Sequence, residues 1–432
     1  MMGSLGHLLV GLIDDIMVGR LGPVELAATS LGNSLVFIAL SVGIGFSFAI
    51  TPLIAESDGE GDVEKGRNIF QHGMILTTII GVVMFVLLLI LKPVLNYLDQ
   101  PEEVVLLAIP YYEIVALSII PLMIFQGFKQ FTDGLSQTKY AMWATILTNV
   151  VNVVLNFALI YGFWIFPRLE IVGAAYGTLI SRVVMVFFMY YVLKKRQKFA
   201  FYLKRLKLAE IKKEFFNKIM RLGFPTALQM LFEVGLFTST VILAGTFGAL
   251  PQAANQIALK LASTTFMIAV GVGVAATIRV GNQIGLKNYV NLRRIAFSNF
   301  LLVFIIMFGF TIGYMFLKDI LPLMFTDNIE VVQMASSLLI VAAVFQLSDG
   351  LQAVILGGLR GLQDVNIPSI LTFIAYWVIG FPVCFYLGKV LDMGPLGIWI
   401  GLLVALSSSA FMLFLRFNYL SNNLIKENNE LT

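Results

Sequence analysis

Met74-Ile75-Leu76-Thr77-Thr78-Ile79-Ile80-Gly81-Val82-Val83-Met84-Phe85-Val86-Leu87-Leu88-Leu89-Ile90-Leu91 is a run of 18 residues without a charge. Coiled as an α-helix at 1.5 Å per residue it would be about 27 Å long, close to the roughly 30 Å hydrocarbon thickness of a bilayer. A helix also satisfies every backbone N–H and C=O internally, as an apolar solvent requires. The run sits inside a longer apolar block, 69–97, and similar blocks recur on both sides of it.

Read outward from that block, the chain divides into twelve spans at 4–18, 26–54, 69–97, 104–128, 141–163, 173–193, 222–247, 253–283, 295–317, 331–356, 368–389 and 397–417. Composition agrees: 59% of the 432 residues are hydrophobic and 12% are charged, whereas soluble domains sit near 45–50% and about 25%. An all-α membrane protein is expected.

The net charge of +4 does not point to nucleic acid. The densest basic stretch runs from Lys194 to Arg221, between two apolar blocks, where a cytoplasmic loop carries Lys and Arg. Alternate loops (55–68, 129–140, 194–221, 284–294, 357–367 and the tail after 415) hold 21 Lys and Arg. The opposite loops hold five, Arg20, Lys92, Arg168, Lys318 and Lys389, and Arg182, Lys260 and Arg279 fall within spans. Both termini and the middle loop are therefore expected in the cytoplasm of a multi-pass membrane protein. Cys384 is the single cysteine and has no internal disulfide partner, and His7 and His72 make no zinc-type cluster. No cofactor and no enzymatic constellation is expected.

The halves repeat. Gly59-Glu60-Gly61-Asp62 followed by Arg67 matches Gly285-Leu286-Lys287-Asn288 followed by Arg293 at a displacement of 226. Gly134-Leu135 matches Gly358-Leu359, and Gly173 with Gly177 matches Gly397 with Gly401, both at 224, while Gly43-x-Gly45 answers Gly271-x-Gly273. Singly, each glycine only lets helices pack closely; their order suggests duplication. Six spans per half make the repeats parallel, which predicts two six-helix bundles related by a pseudo-twofold axis along the membrane normal, with substrate between them near the midplane. The expected domains are a 1–193 lobe, a 194–221 basic linker, a 222–417 lobe and a 418–432 tail. Gly223-Phe224-Pro225, near the start of span seven, has its counterpart before residue 1, so the first helix is expected to be truncated.

Charges near the bilayer centre are costly, about 3 kcal/mol on insertion scales, and mark functional candidates. Glu233 lies mid-span, as does Asp349, with Gln346 and Gln352 three residues to either side of it and Phe345 four before, on one helical face. Two acids on different helices of one bundle could share a cation or a proton; the plain alternative is pairing with Lys260, Arg279 or a backbone group. Of Asp14 and Asp15 in the first span, Asp14 is the better candidate to face inward. Asn149, Asn152 and Asn156 form a polar stripe, with interhelical glue the reading for Asn149 and both readings open for the other two. Thr178 and Arg182 form an i, i+4 pair. The 36 Phe and 18 Met could line a re-packable cavity.

Together these residues resemble the multidrug and toxic compound extrusion (MATE) family, in particular its NorM-like bacterial branch. The resemblance rests on Leu12-Ile13-Asp14-Asp15-Ile16-Met17-Val18-Gly19-Arg20 with Glu25-Leu26-Ala27-Ala28, and on Gly223-Phe224-Pro225 with Glu233. Further motifs are Ala254-Asn255-Gln256-Ile257-Ala258-Leu259, Gly281-Asn282-Gln283-Ile284-Gly285, Asp349-Gly350-Leu351-Gln352 and Gly358-Leu359-Arg360-Gly361. It implies two six-helix lobes and antiport of amphipathic, often cationic compounds against Na+ or H+ by a functional monomer. It implies cation coupling at Glu233 and Asp349, with Na+ a possible metal there, and at Asp14 in the first lobe. The supporting polar or cavity positions are Asn152, Asn156, Thr178, Phe345, Gln256 and Gln346. Phe345 stands where a tyrosine is common, Lys260 where an uncharged polar residue is usual, Asn255 where histidine is common, and Asn156 where the DinF-like branch has an acid. The rival functions are a flippase for lipid-linked precursors, an intramembrane enzyme and a passive channel.

Overall fold

A computed structural model describes residues 13–14, 16–98, 100–163, 166–204 and 211–431. The described residues contain eleven helices long and apolar enough to cross a membrane. In chain order they are α1 (Pro23–Glu60), α2 (Val63–Tyr97), α3 (Glu102–Gly134), α4 (Thr138–Tyr161), α5 (Glu170–Lys195), α6 (Lys213–Gly245), α7 (Ala249–Gly285), α8 (Tyr289–Leu317), α9 (Ile329–Gly361), α10 (Asn366–Val390) and α11 (Gly394–Glu430). Each corresponds to one expected span, and most are longer because the helices continue past the apolar windows. Most of the expected first span, 4–18, lies outside the described residues; within it Ile13, Asp14 and 16–19 are helical. No strand occurs among the described residues.

The helices form two compact units that divide between Ala227 and Leu228, inside α6. Each unit has its own apolar core. In the N-terminal unit Tyr112, Val115, Ile119, Met123 and Ile160 are buried together. In the C-terminal unit Leu338, Phe345, Tyr376, Trp399 and Leu406 are.

The repeat is visible in the packing. Gly61 takes a left-handed φ of 72° before Asp62, whose carboxylate accepts the Lys65 N–H at 2.8 Å. Lys287 takes a φ of 54° before Asn288, which accepts the Asn291 N–H at 3.1 Å. A left-handed residue followed by an Asp or Asn cap ends one helix and starts the next. A Cβ added at Gly173 would lie 2.6 Å from the Leu159 carbonyl carbon, and one at Gly397 would lie 2.5 Å from that of Leu387. These are the pairings expected for those glycines.

At Gly134 the register differs from the sequence match. A Cβ there would meet Ile54 Cβ at 2.6 Å and the Thr51 carbonyl at 2.9 Å. The residue with matching neighbours is Gly361, not Gly358, facing Val280 Cβ at 2.7 Å and the Thr277 carbonyl at 2.9 Å. Thr51 Oγ1 donates to the Gln130 carbonyl (3.1 Å) and Thr277 Oγ1 to the Gly357 carbonyl (2.9 Å). Backbone contact, rather than the Gly-Leu dipeptide, sets the alignment.

Two helices are interrupted close to a proline. α3 breaks at Ser118, because Pro121 offers no N–H to the Leu117 carbonyl and its ring crowds that turn. α10 contains π-helical stretches at Ile374–Gly380 and Tyr386–Val390 around Pro382. Its counterpart α4 is a regular α-helix. Such stretches recur at functional sites.

The segment before α6 and the first turns of α6 are tied to the rest of the N-terminal unit. Gln71 Nε2 donates to the Tyr202 carbonyl at 2.6 Å, and the Lys212 N–H donates to His72 Nε2 at 3.1 Å. Lys218 pairs with Glu56 at 3.1 Å. Burial, with Asp58 and Asp62 nearby, pushes the Tyr202 phenol above its ordinary value.

Candidate cation-coupling site

The C-terminal unit brings together Glu233 on α6 and Asp349 on α9. The two carboxylates lie within electrostatic range of one another, and Asp349 is 5% exposed. Lys260 and Arg279, the alternative partners read from sequence, are exposed on α7. The cation that faces Glu233 is instead Arg360, at the far end of α9. Its guanidinium donates to Gln229 Oε1 at 2.8 Å, and Gln229 Nε2 donates to Thr372 Oγ1 at 3.3 Å. Gln229 is one turn before Glu233 on α6, so α6, α9 and α10 are bound by one polar network. The π-helical part of α10 sets Tyr376, fully buried, within range of both acids and beside Gln352 and Ser409.

Arg360, Gln229 and Tyr376 were not singled out as site residues from the sequence. A signal for Arg360 exists: it follows Asp349 by eleven residues, close to three helical turns, which returns it to the same face about 16 Å along α9. Tyr376 had none, since its position depends on the π-helical register.

The other C-terminal candidates take different places. Phe345 is 1% exposed and packs edge-on to Trp399 at 5.3 Å. Gln346 accepts the Thr265 hydroxyl at 2.7 Å. Gln256 is exposed, and its neighbour Asn255 accepts the Trp399 indole N–H at 2.9 Å.

In the N-terminal unit Asp14 meets the asparagine stripe. Asn156 Nδ2 donates to Asp14 Oδ1 at 2.7 Å and approaches Asn152 Oδ1 at 3.3 Å. Asn152 and Asn156 are both buried. Space for the Asn156 amide exists because residue 177 on α5 is glycine: a Cβ there would collide with Asn156 Oδ1. Thr178 is half-buried, and its carbonyl accepts the Ser181 hydroxyl at 2.9 Å. Arg182, a turn further along α5, lies within electrostatic range of Asp14. Its guanidinium donates to Ser118 Oγ at 2.6 Å, at the break in α3. Asp15 lies outside the described residues. Among the described residues no group of three or more His, Cys, Asp or Glu could hold a metal ion.

Acids thus stand within the helices of both units, Asp14 beside Asn156 in one and Glu233 with Asp349 in the other. The MatE family model matches residues 1–158 and 225–386. The chain belongs to the MatE family. The multidrug resistance protein NorM of Photobacterium profundum is 32% identical over 430 residues, covering 97% of this chain and 93% of that protein. The probable multidrug resistance protein NorM of Rhizobium meliloti is 35% identical over 420 residues, covering 96% and 90%. The MatE fold is also that of a MOP superfamily transporter from Pyrococcus furiosus, with a TM-score of 0.89 at 24% identity, covering 98% and 94% of the two chains.

Proposed function

We propose that this MatE-family chain is a secondary antiporter that exports drug-like, often cationic amphipathic compounds in exchange for Na+ or H+ by alternating access. The observation that carries the reading is the Glu233–Asp349 pair, two acids on different spanning helices within electrostatic range of one another. Isolated charges there are costly, and a cation or proton arriving between them relieves both desolvation and mutual repulsion. The printed names of the relatives, which cover nearly the whole chain, support a multidrug substrate class.

In the proposed cycle, the inward-open state loads substrate while the carboxylates are free of the coupling ion. On the outer side Na+ or H+ reaches Glu233 and Asp349, substrate leaves, and the loaded carrier returns. Coupling requires that ion and substrate each bind the two states with different affinity; a charge change at buried acids supplies that difference. In this reading the termini and the 194–221 linker lie on the cytoplasmic side of the bacterial inner membrane, supported by the excess of Lys and Arg on those segments, and one chain is the functional unit.

The test is ethidium movement in proteoliposomes under separately imposed Na+ and pH gradients. Uphill movement driven by one gradient supports antiport and names the ion. The E233Q/D349N variant is expected to insert normally and lose gradient-driven transport. Unchanged transport by that variant removes the pair from the mechanism. Movement only down the ethidium gradient, indifferent to both ions, overturns antiport.

A further inference from the structure

The exposed side of α7 differs in kind from that of its neighbour α8. On α8 the exposed residues are those of a lipid-facing helix, Leu302, Ile305, Phe308 and Ile312 among them. On α7 no large hydrophobic residue is exposed between Leu250 and Leu286. The exposed positions there are small, polar or charged, with Gln256, Lys260, Ser263 and Thr264 together on one side of the helix. Hydrocarbon does not solvate such a row, so this side of α7 is turned to water even though the helix is long and apolar enough to span. A lysine snorkelling out of lipid would have apolar residues beside it further into the span; here those neighbours are Ser263 and Thr264.

Lys260 carries a charge that the acid cluster does not use, since the cation facing Glu233 is Arg360. Among the described residues the Lys260 ammonium has neither an ion pair nor a hydrogen bond; its backbone carbonyl accepts the Thr264 hydroxyl at 2.9 Å. The matching position in the N-terminal unit is neutral. The displacement of 226 that aligns Ala27-Ala28 with Ala253-Ala254 sets Ser34 opposite Lys260. Ser34 is also exposed, and its hydroxyl donates to the Leu31 carbonyl at 2.7 Å.

We propose that Lys260 lines the substrate path and takes an anionic group, such as a carboxylate, carried by an amphipathic substrate. The proposal rests on the antiport reading and narrows its substrate class to compounds that pair an apolar body with an acid, zwitterions included. Lys260 is a specificity-determining residue in this scheme. Its ammonium pairs with a carboxylate through charge-assisted hydrogen bonds and repels a further positive charge brought to the same side of α7.

The experiment is fluorescence-polarisation binding of two dyes to the purified full chain in detergent: tetramethylrhodamine, a zwitterion, and its methyl ester, a cation with the same fluorophore. The quantity read is the ratio of the two affinities, which cancels differences in the apolar body when variants are compared. K260Q is expected to lower the carboxylate-to-ester ratio roughly three- to fivefold, the worth of one solvated ion pair. K260R keeps the wild-type ratio, and K260E lowers it further than K260Q. A ratio unchanged in K260Q, a ratio that falls as far in K260R, or no binding of either dye to the wild type overturns the proposal. The same dyes in proteoliposomes under Na+ and pH gradients separate this proposal from the antiport reading. Gradient-driven movement that K260Q leaves equally selective removes Lys260 from substrate choice and leaves antiport standing. A Lys260-dependent binding ratio without gradient-driven movement supports the anionic-group site and removes antiport.

Discussion

The Asn156 amide can turn toward Asp14 because its other side rests on a residue without a side chain. G177A would put a methyl group into the Asn156 carbonyl oxygen, and either the amide rotates or α4 and α5 separate. Overpacking of this kind costs about 1–3 kcal/mol. The expected outcome is a lower melting temperature together with altered transport, where a purely structural defect would change only the first. Across the membrane repeat, R360Q removes the charge facing Glu233 and leaves Gln229 without its 2.8 Å donor. It is expected to weaken export and to change the cation dependence of transport, measured as initial rate against Na+ concentration or pH. The asparagine stripe and the acids were legible in sequence because a polar group at membrane depth stands out against an apolar background. Arg360 was quoted only within a motif. Its role depends on side-chain reach between α9 and α6, which a linear pattern does not carry.

At the scale of elements, eleven of the twelve spans were legible because helix length and hydropathy are imposed by the bilayer rather than by tertiary detail. The internal alignment was legible to within three residues: Gly134 pairs with Gly361 rather than Gly358. The sequence match followed a Gly-Leu dipeptide, while the fold follows the close approach of α3 to α1 and of α9 to α7. The π-helical stretches of α10 were not legible, since Pro382 announces a disturbance without its form. Those packing glycines give a direct comparison. G134A and G361A should each destabilise by about 1–3 kcal/mol, because the added Cβ meets backbone carbonyls that cannot rotate away. G313A, in α8, has nothing within 4 Å and should stabilise by up to about 1 kcal/mol through helix propensity alone. Thermal melts of the three variants side by side test the assignment; equal behaviour at all three positions would refute it.

For the whole molecule the orientation in the membrane follows from charge, and charge placement can be checked by chemistry on the chain. Twenty-one Lys and Arg fall on one set of loops and five on the other, an asymmetry that orients helical proteins with the richer loops inside. The single native cysteine, Cys384, is fully buried against the Ile398 carbonyl, so a C384S background removes it at the cost of one weak contact. Ser136, in the α3–α4 turn, and Asp327, ahead of α9, are both exposed and belong to opposite loop sets. S136C should therefore react with a membrane-impermeant maleimide only after inside-out vesicles are prepared, and D327C only in intact spheroplasts. The reverse pattern would invert the carrier, and with it the direction in which the proposed gradient drives substrate. Labelling of both from one side would mean an even number of crossings between them, which α4 to α8 as five separate spans does not allow unless one of those helices lies along the membrane surface.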